Sequence, residues 1–281
     1  MSGKRKGNEV FEGTRASAMP KRDVLKDDFD FEIPTQMVPL PSGGVIYPVD
    51  SPMYGKTEVA IKAMTAREED ILTSRALIKK GTVITELLKS AIIDDGFDPD
   101  VMLSGDRNAL MITLRATGYG PEYNVEVDCP ACGARTKQSF DLASLPIKEL
   151  ELDPVAPGAN LFETELPMTK KKVRFRFLTG HDEREISVIQ ERKKKQGVTV
   201  DNQVTTRLLY QVVTVDGVTD KAKIGFFVRA MPARDSLHLR KYIDNNEPGI
   251  DMKSWMDCTA CFESSEVRLP LGATFFWPDA D

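Results

Sequence analysis

The feature that most constrains the fold of this chain is a pair of matching motifs that read Asp-Cys-x-Ala-Cys. Two cysteines at this spacing hold one edge of a tetrahedral metal ion, so a complete site needs a second pair. The chain has one such pair in each half, separated by 125 residues. The motifs therefore predict that distant segments meet around one ion. The four candidate ligands are Cys129, Cys132, Cys258 and Cys261.

The cysteine motifs belong to a longer internal repeat. Three blocks occur in the same order in both halves, and 23 positions separate an aspartate, Asp106 or Asp235, from the first cysteine of its motif. We interpret the chain as two related halves. The aligned blocks are MTAREEDIL with LTGHDEREI, VITELLKSAIIDDG with VTTRLLYQVVTVDG, and the segments that run from each aspartate to its second cysteine.

Hydrophobic periodicity predicts an α+β fold, in which each half has a strand, two or three helices and a zinc-ribbon-like β-hairpin knuckle. KTEVAIKAM alternates like a strand, and Thr65 with Glu68 has the spacing of a helix capping box. Gly81 is expected to stop a helix, and the glycines of PSGGVIY to form a turn between strands. The predicted helices cover residues 71–80, a stretch near Asp106 with Leu110 and Leu114 inward, a stretch that starts near 180–182, and residues 83–93, 205–213 and 235–245.

These patterns divide the chain into four predicted regions. Residues 1–33 are polar, lack a sustained apolar period and are expected to form a disordered arm. Residues 34–146 form the first half with the Cys129/Cys132 knuckle. Residues 147–170 form a linker with hairpin strands, and residues 171–281 form the second half with the Cys258/Cys261 knuckle and an aromatic C-terminus.

Composition narrows the functional classes. The formal net charge of −5 argues against general nucleic-acid binding, which needs a clustered basic surface. No apolar run approaches the roughly 20 residues of a membrane helix, and the N-terminus lacks the apolar region of a secretory signal. We therefore expect a protein of a reducing cytosol, where paired cysteines favour metal over disulfides.

One structural zinc ion held by all four cysteines is the leading prediction, and three alternatives remain. A redox C-x-x-C normally begins a helix, whereas strands are predicted around both pairs here. Each pair could instead meet its equivalent in another subunit, or the thiols could stay reduced without metal. A site with four protein ligands is structural, because it leaves no position for water or substrate.

The sequence shows no catalytic apparatus, and we predict a protein that is not an enzyme and has no small-molecule substrate. His181 and His238 are expected at a helix start and on an amphipathic helix, with no cysteine near either in sequence. No G-x-S-x-G, H-E-x-x-H or Walker motif occurs. A zinc enzyme, which is the alternative in this class, would need an open coordination position.

The most distinctive sequence pattern lies in the C-terminal 51 residues, MPARDSLHLRKYIDNNEPGIDMKSWMDCTACFESSEVRLPLGATFFWPDAD. Together with LPSGGVIYP, MTAREEDIL and SGDRNALMITLRATGYG, they resemble the baseplate hub proteins of contractile-tailed bacteriophages, a group often labelled hub subunit or hub assembly chaperone. The resemblance covers most of residues 36–279. It implies a non-enzymatic protein that contacts other tail and baseplate proteins in the host cytoplasm during assembly, and that either leaves or remains in the virion.

Two further features allow a second interpretation. Phe275, Phe276 and Trp277 are large enough to anchor a partner, or they fold back on the protein's own core. The basic run ERKKKQG and the two knuckles would suit a zinc-ribbon nucleic-acid-binding protein, which is the alternative function. Because the run ends a predicted helix, its lysines also complement the helix dipole, and nucleic acid is the less favoured partner.

Overall fold

The computed structural model describes residues 24–195, 202–271 and 273–276. The chain divides into two compact units with the boundary between Pro34 and Thr35. In the first unit, the described residues contain α1 (Val24–Phe29) and a hydrogen bond from the Phe31 amide to the Leu25 carbonyl at 3.1 Å. Residues 1–23 of the predicted N-terminal arm lie outside the described part.

The second unit mixes helices with antiparallel strands, which confirms the predicted combination of the two. Among its described residues the longer helices are α2 (Ala66–Thr73), α3 (Arg75–Lys80), α4 (Val83–Ala91), α5 (Ser104–Tyr119), α6 (Gly180–Lys195), α7 (Gln203–Gln211), α8 (Lys221–Ala230) and α9 (Ala233–Asn246). The strands are β1 (Thr35–Pro39), β2 (Glu58–Lys62), β3 (Glu122–Asp128), β4 (Arg135–Asp141), β5 (Ile147–Lys148), β6 (Phe162–Glu165), β7 (Lys172–Phe175), β8 (Val212–Val215), β9 (Gly249–Ile250), β10 (Lys253–Asp257) and β11 (Ser264–Arg268).

The described strands form small antiparallel sheets. β1 pairs with β2, β5 pairs with β9, and β6, β7 and β8 form a three-stranded sheet. Two separate hairpins, β3–β4 and β10–β11, carry the cysteine motifs at their turns. The β5–β9 pair joins residues of the predicted linker to a strand that lies just before the second cysteine hairpin.

The helices of the first half differ from their predicted bounds at two points. The helix expected over 71–80 breaks at Ser74, which has the extended backbone that ends α2 before α3 begins. The helix expected to reach residue 93 ends at Ala91, because Ile92 forms a β-bridge with Ile61 of β2. Gly81 ends α3 in a left-handed conformation with φ +69°, as predicted.

Among the elements of the second half that the sequence does not predict, two are longer than two residues and regular, β8 and α8. The helix expected over 205–213 gives way to β8 at Val212, because this strand completes the sheet beside β7. The other is α8, where Asp220 accepts hydrogen bonds from the amides of Ala222 and Lys223 as a helix N-cap. The sequence signal available for α8 is an aspartate directly before a run of apolar residues with helical spacing.

Within the described part of the chain, the apolar core consists of two clusters of buried side chains. The first surrounds α5, whose Leu110 and Leu114 are fully buried as predicted, and it includes side chains from both cysteine hairpins. The second covers the β6–β7–β8 sheet and the inward faces of α7, α8 and α9. Phe162, Phe175 and Phe177 lie at its centre, with ring centroids 4.7 to 5.9 Å apart.

A buried carboxylate at the start of α2 confirms the predicted capping box. Glu68 is fully buried and accepts hydrogen bonds from the Thr65 amide at 2.9 Å and from the hydroxyls of Thr65 and Ser90. The Lys62 ammonium lies 3.1 Å away on β2. This carboxylate therefore joins the first turn of α2 to the preceding strand and to α4.

The start of α6 has a similar arrangement. Asp182 accepts from the amide of Thr179 at 2.9 Å and from its hydroxyl at 2.8 Å. Both carboxylate oxygens also receive hydrogen bonds from the Arg176 guanidinium, at 2.8 and 2.7 Å. In the aligned blocks, Thr179 and Asp182 occupy the places of Thr65 and Glu68.

The aspartates that open the third aligned block are both buried near the start of a helix. Asp106 in α5 accepts hydrogen bonds from the Ser42 amide at 3.0 Å and from the hydroxyls of Ser42 and Tyr47. Asp235 in α9 accepts from the amides of residues 168–169 at 2.7 and 3.0 Å. Each aspartate therefore holds the turn between two strands, β1–β2 or β6–β7, against a helix.

Candidate metal centre

The two cysteine turns have the same backbone hydrogen bonds. In the first hairpin the Cys129 amide donates to Ala134 at 2.9 Å, and Gly133 donates back to Cys129 at 2.8 Å. In the second hairpin the Cys258 amide donates to the Glu263 carbonyl at 3.1 Å, and Phe262 donates back to Cys258 at 2.8 Å. These tight turns between antiparallel strands direct the two sulfurs of each pair to one side.

The residue after the second cysteine of each turn has a left-handed backbone. Gly133 has φ +72°, which glycine adopts at little cost. Phe262 occupies the same place in the second turn with φ +61°. The two turns thus have the same backbone shape, but only the first has glycine, the residue that adopts a positive φ at little cost.

The structure brings all four candidate ligands together. The sulfurs of Cys129, Cys132, Cys258 and Cys261 lie within 4.8 Å of one another. Two contacts between the hairpins, Cys129 to Cys261 and Cys132 to Cys258, measure 3.8 Å between sulfurs. Tetrahedral zinc with Zn–S bonds of about 2.3 Å places its sulfurs about 3.8 Å apart. The donor set and its spacing therefore fit a four-thiolate metal site, and the cysteines are not joined by disulfides.

Burial differs between the two cysteines of each pair. Cys129 and Cys258 are buried, whereas Cys132 and Cys261 lie at the surface. The buried members continue the inward faces of the strands, where Val127 and Met256 belong to the first apolar cluster. A metal ion here would lie at the outer end of the contact between the two hairpins.

The backbone favours thiolate at one buried cysteine. Amides of Cys261 and Ala260 point at the Cys258 sulfur and lower the pKa of its thiol to about 7. The amide of Glu263 has the same effect on Cys261, but hydrogen bonding with Cys132 and the other sulfurs outweighs it and raises the pKa of Cys261 to about 12. Four adjacent thiolates repel one another, so a bound divalent cation would relieve that repulsion.

A polar contact between the hairpins lies beside the sulfurs. The Gln138 side-chain amide on β4 donates to the carbonyl of Asp257 on β10 at 3.1 Å. Apolar side chains on the inner faces of both hairpins pack into one cluster. They are Val127, Phe140, Met256 and Val267, all members of the first core cluster. Packing and a polar contact therefore support the same approach of the hairpins that the four cysteines would lock.

The aromatic C-terminal residues lie in the core where they are described. Phe275 and Phe276 are 1% and 2% exposed, and the Phe275 ring meets Tyr123 edge to face at 5.2 Å. Arg115, buried in α5, donates to the carbonyl of Phe275 at 3.0 Å. This placement agrees with the interpretation that the segment folds back on the core. Trp277 lies outside the described residues, and a partner contact by this segment remains a prediction.

Both histidines contact neighbours in their own helices. His181 shares a hydrogen bond with Arg184 at 3.0 Å and approaches Glu185 at 3.3 Å on α6. His238 stacks on Tyr242 of α9 with ring centroids 6.1 Å apart. Neither belongs to the cysteine cluster, and no histidine or carboxylate joins that cluster among the described residues.

A family comparison identifies the protein class. The family model described as T4 bacteriophage base plate protein matches residues 45–277 of the 281-residue chain. The chain belongs to this family of phage baseplate proteins. No curated protein and no solved structure matches the chain at a significant level. The match includes both cysteine pairs, and it supports the predicted bacteriophage baseplate class and phage tail proteins as partners.

None of the described helices combines the length and hydrophobicity that crossing a membrane needs.

Three residues have a structural role that the sequence alone does not indicate. Asp106 stands out in the sequence only as a repeat marker, Arg115 has no local signal, and Phe262 requires the positive φ to be recognised. The repeat alignment, which places Phe262 opposite Gly133, is the one available signal for the last.

Proposed function

We propose that this baseplate protein is a non-enzymatic component of the hub, acting in tail assembly as a hub subunit or a hub assembly chaperone. Family membership supports its place in the phage tail. The resemblance of residues 36–279 to hub proteins supports the finer assignment. The observation that carries the non-enzymatic role is the cysteine centre, because four protein ligands leave no coordination position for a substrate.

The cysteine centre would hold one structural zinc ion per chain. Soft thiolate ligands in a tetrahedral arrangement suit zinc, and the sulfur separations of 3.8 Å agree with zinc–thiolate bond lengths. A two-stranded hairpin alone is marginally stable in water. Zinc shared between β3–β4 and β10–β11 would therefore stabilise two elements that lie far apart in the sequence.

The two halves would derive from a duplication that gave each one half of the zinc site. Equivalent carboxylates at Glu68 and Asp182 begin the helices after a strand, and equivalent buried aspartates at Asp106 and Asp235 hold a strand turn. The identical hydrogen bonds of the two cysteine turns support the same proposal. A pseudo-twofold relation would explain how distant cysteines reach one ion.

The role in assembly is tested with phage from which this gene is deleted, grown with the unaltered chain supplied from a plasmid. We expect plaques only with the plasmid, and particles without complete baseplates in its absence. Mass spectrometry of purified virions then distinguishes a hub subunit, which stays in the particle, from a chaperone, which does not. Normal baseplates without the gene would refute the proposal.

The zinc proposal is tested by measuring metal in the purified chain and in two variants. Cys258→Ser removes one ligand, whereas Ala260→Ser puts the same hydroxyl beside the site and serves as the control. We expect one zinc per chain, retained in the control and lost or strongly weakened in Cys258→Ser. X-ray absorption should show sulfur ligands only, and an open oxygen-bound position would support a zinc enzyme instead.

The second candidate function is a zinc-ribbon protein that binds nucleic acid. It rests on the two hairpins and on the basic C-terminal end of α6, where Glu191 pairs with Lys195 at 3.9 Å. The acidic total charge disfavours it. Binding to DNA or RNA that weakens steeply between 50 and 200 mM salt would favour this candidate over the hub proposal.

A further inference from the structure

Phe262 combines a strained backbone with an exposed aromatic ring. Its φ of +61° is rare for a bulky residue, and its side chain is 88% exposed. The other non-glycine residues with positive φ in the described chain are Asp30, Lys170 and Asp216. Aspartate tolerates this conformation through local hydrogen bonds, which phenylalanine cannot make, and Lys170 lies in the β6–β7 turn whose neighbouring amides Asp235 holds. Neither folding nor burial therefore explains a phenylalanine at this position.

The first hairpin shows that the turn does not require a side chain here. Gly133 occupies the equivalent place with φ +72°, and a Cβ added to it would meet nothing within 4 Å. Glycine at 262 would form the same turn without strain. Phenylalanine at this position thus has a cost to the fold, and such outliers point to a functional contact.

A second exposed aromatic lies on the same hairpin. Trp255 is 69% exposed on the outward face of β10, directly opposite Glu266 of β11. At the equivalent place in β3 the chain has Glu126, so the first hairpin carries neither aromatic. Tryptophan and phenylalanine are enriched at the centres of protein interfaces, and tryptophan is among the residues that dominate binding energy there. The asymmetry therefore assigns a docking surface to the second hairpin.

The charge around the cysteine turns indicates the chemistry of the partner. Asp257 before the second cysteine turn and Glu263 beside Phe262 are both exposed, and residues 255–266 contain no lysine or arginine. In the first hairpin, by contrast, Arg135 lies directly opposite Asp128. Four thiolates with one Zn²⁺ would add a net charge of about −2 to this end of the hairpins. An acidic surface with two aromatics repels nucleic acid and a second copy of itself. It favours a partner with basic side chains.

We propose that Trp255, Phe262 and the acidic residues beside them dock a baseplate protein that has an apolar pocket rimmed by lysine or arginine. The docking surface is named here the knuckle tip, and it comprises Trp255, Asp257, Phe262 and Glu263. This inference rests on the proposed function and names the surface through which the protein would act. The metal would hold the tip in shape, because Phe262 follows the ligand Cys261.

The test uses the deletion phage supplied with Phe262→Gly. Since glycine relieves the positive φ, the purified variant should keep its zinc and melt at or above the temperature of the unaltered chain. We expect its plaque titre to fall about tenfold or more. Phe226→Ala is the matched control, because Phe226 is 73% exposed on α8, and it should leave the titre unchanged. Full complementation by Phe262→Gly would overturn the inference.

The partner is identified by placing the photo-cross-linking amino acid p-benzoylphenylalanine at position 262 or 226 in infected cells. We expect position 262 to link to a baseplate protein through a peptide that contains lysine or arginine, and Glu263→Lys to reduce that link. Links only to a second copy, to nucleic acid or equally from both positions would overturn the inference. If the deletion phage builds normal baseplates, the proposed function fails. If it needs the chain but accepts Phe262→Gly, only the docking surface fails.

Discussion

Replacing Glu68 with glutamine should destabilise the protein strongly at neutral pH, although the change keeps the shape of the side chain. Burial alone would raise the pKa of the Glu68 carboxyl. Hydrogen bonds from Ser90, Thr65 and Lys62 outweigh burial and lower the pKa to about 2. Glutamine presents an amide nitrogen to one side of this site and has no charge for Lys62. It therefore leaves the half-buried Lys62 ammonium without its counter-charge and a hydroxyl without its acceptor.

The size of the effect follows from the pKa. The pKa of a glutamate side chain is ordinarily 4.5 and is about 2 in the folded protein, and each unit of pKa shift corresponds to about 1.4 kcal/mol. The ionised carboxylate thus contributes roughly 3 kcal/mol to the free energy of unfolding. Because the folded pKa is lowered, this contribution is present above pH 4.5 and is lost as the pH falls towards 2.

Urea unfolding, followed by circular dichroism at pH 7 and at pH 3, measures the effect. With an m value of about 3 kcal/mol/M, the midpoint of Glu68→Gln should lie about 1 M below that of the unaltered chain at pH 7. The difference should shrink at pH 3. Asp70→Asn is the control, since Asp70 is exposed on the same helix, and it should change the midpoint little. Equal midpoints for Glu68→Gln and the unaltered chain at pH 7 would refute the reasoning.

Three further changes test the packing and the metal. Gly105→Ala places a Cβ 1.8 Å from a backbone carbonyl oxygen, so it should lower the free energy of unfolding by about 3 kcal/mol, as thermal unfolding measures. Gly225→Ala on α8 is the control. The nearest atom to its new Cβ is 3.6 Å away, so it should raise the free energy of unfolding by about 0.5–1 kcal/mol. Arg115→Met removes the hydrogen bond to Phe275, so it should lower the free energy of unfolding by about 3 kcal/mol and speed proteolysis at the C-terminus. Its control is Arg135→Met at an exposed position, which should change the free energy of unfolding by under about 0.5 kcal/mol. Chelation of zinc should raise amide hydrogen exchange in both cysteine hairpins and leave α5 protected, and uniform loss of protection would show that the metal supports the whole fold.

Local signals predict those elements whose residues interact over short sequence distances. The capping box at Thr65 and the left-handed Gly81 need only neighbours in the chain, and both are confirmed. The predicted end of α4 is wrong because Ile92 pairs with a strand about 30 residues earlier. The sequence misses β8 for the same reason, since Val212 continues a helical period but is recruited by β7. Tertiary pairing overrides helix propensity at both places.

The sequence predicts the candidate metal site better than it predicts the strands, because cysteine itself indicates a metal ligand. Two thiol pairs in equivalent places of the repeat identify Cys129 and Cys258 as neighbours from residue type and order alone. The knuckle tip is not predictable in the same way. An aromatic after a cysteine has no meaning until the backbone shows that Phe262 holds a positive φ and that its side chain is exposed.

The proposed metal and the proposed docking surface would have opposite effects on the stability of the second cysteine turn. Two-stranded hairpins have little core of their own, so a turn that carries a strained and exposed Phe262 would fray without support. A metal held from both hairpins would supply that support at the same turn. The deeper packing of Val127 and Met256 supports the strands but lies away from the turn. Removing zinc should therefore abolish docking at the knuckle tip at metal concentrations that leave the core folded. Cross-linking at position 262 after chelation measures this, and an unchanged link would show that the turn keeps its shape without metal.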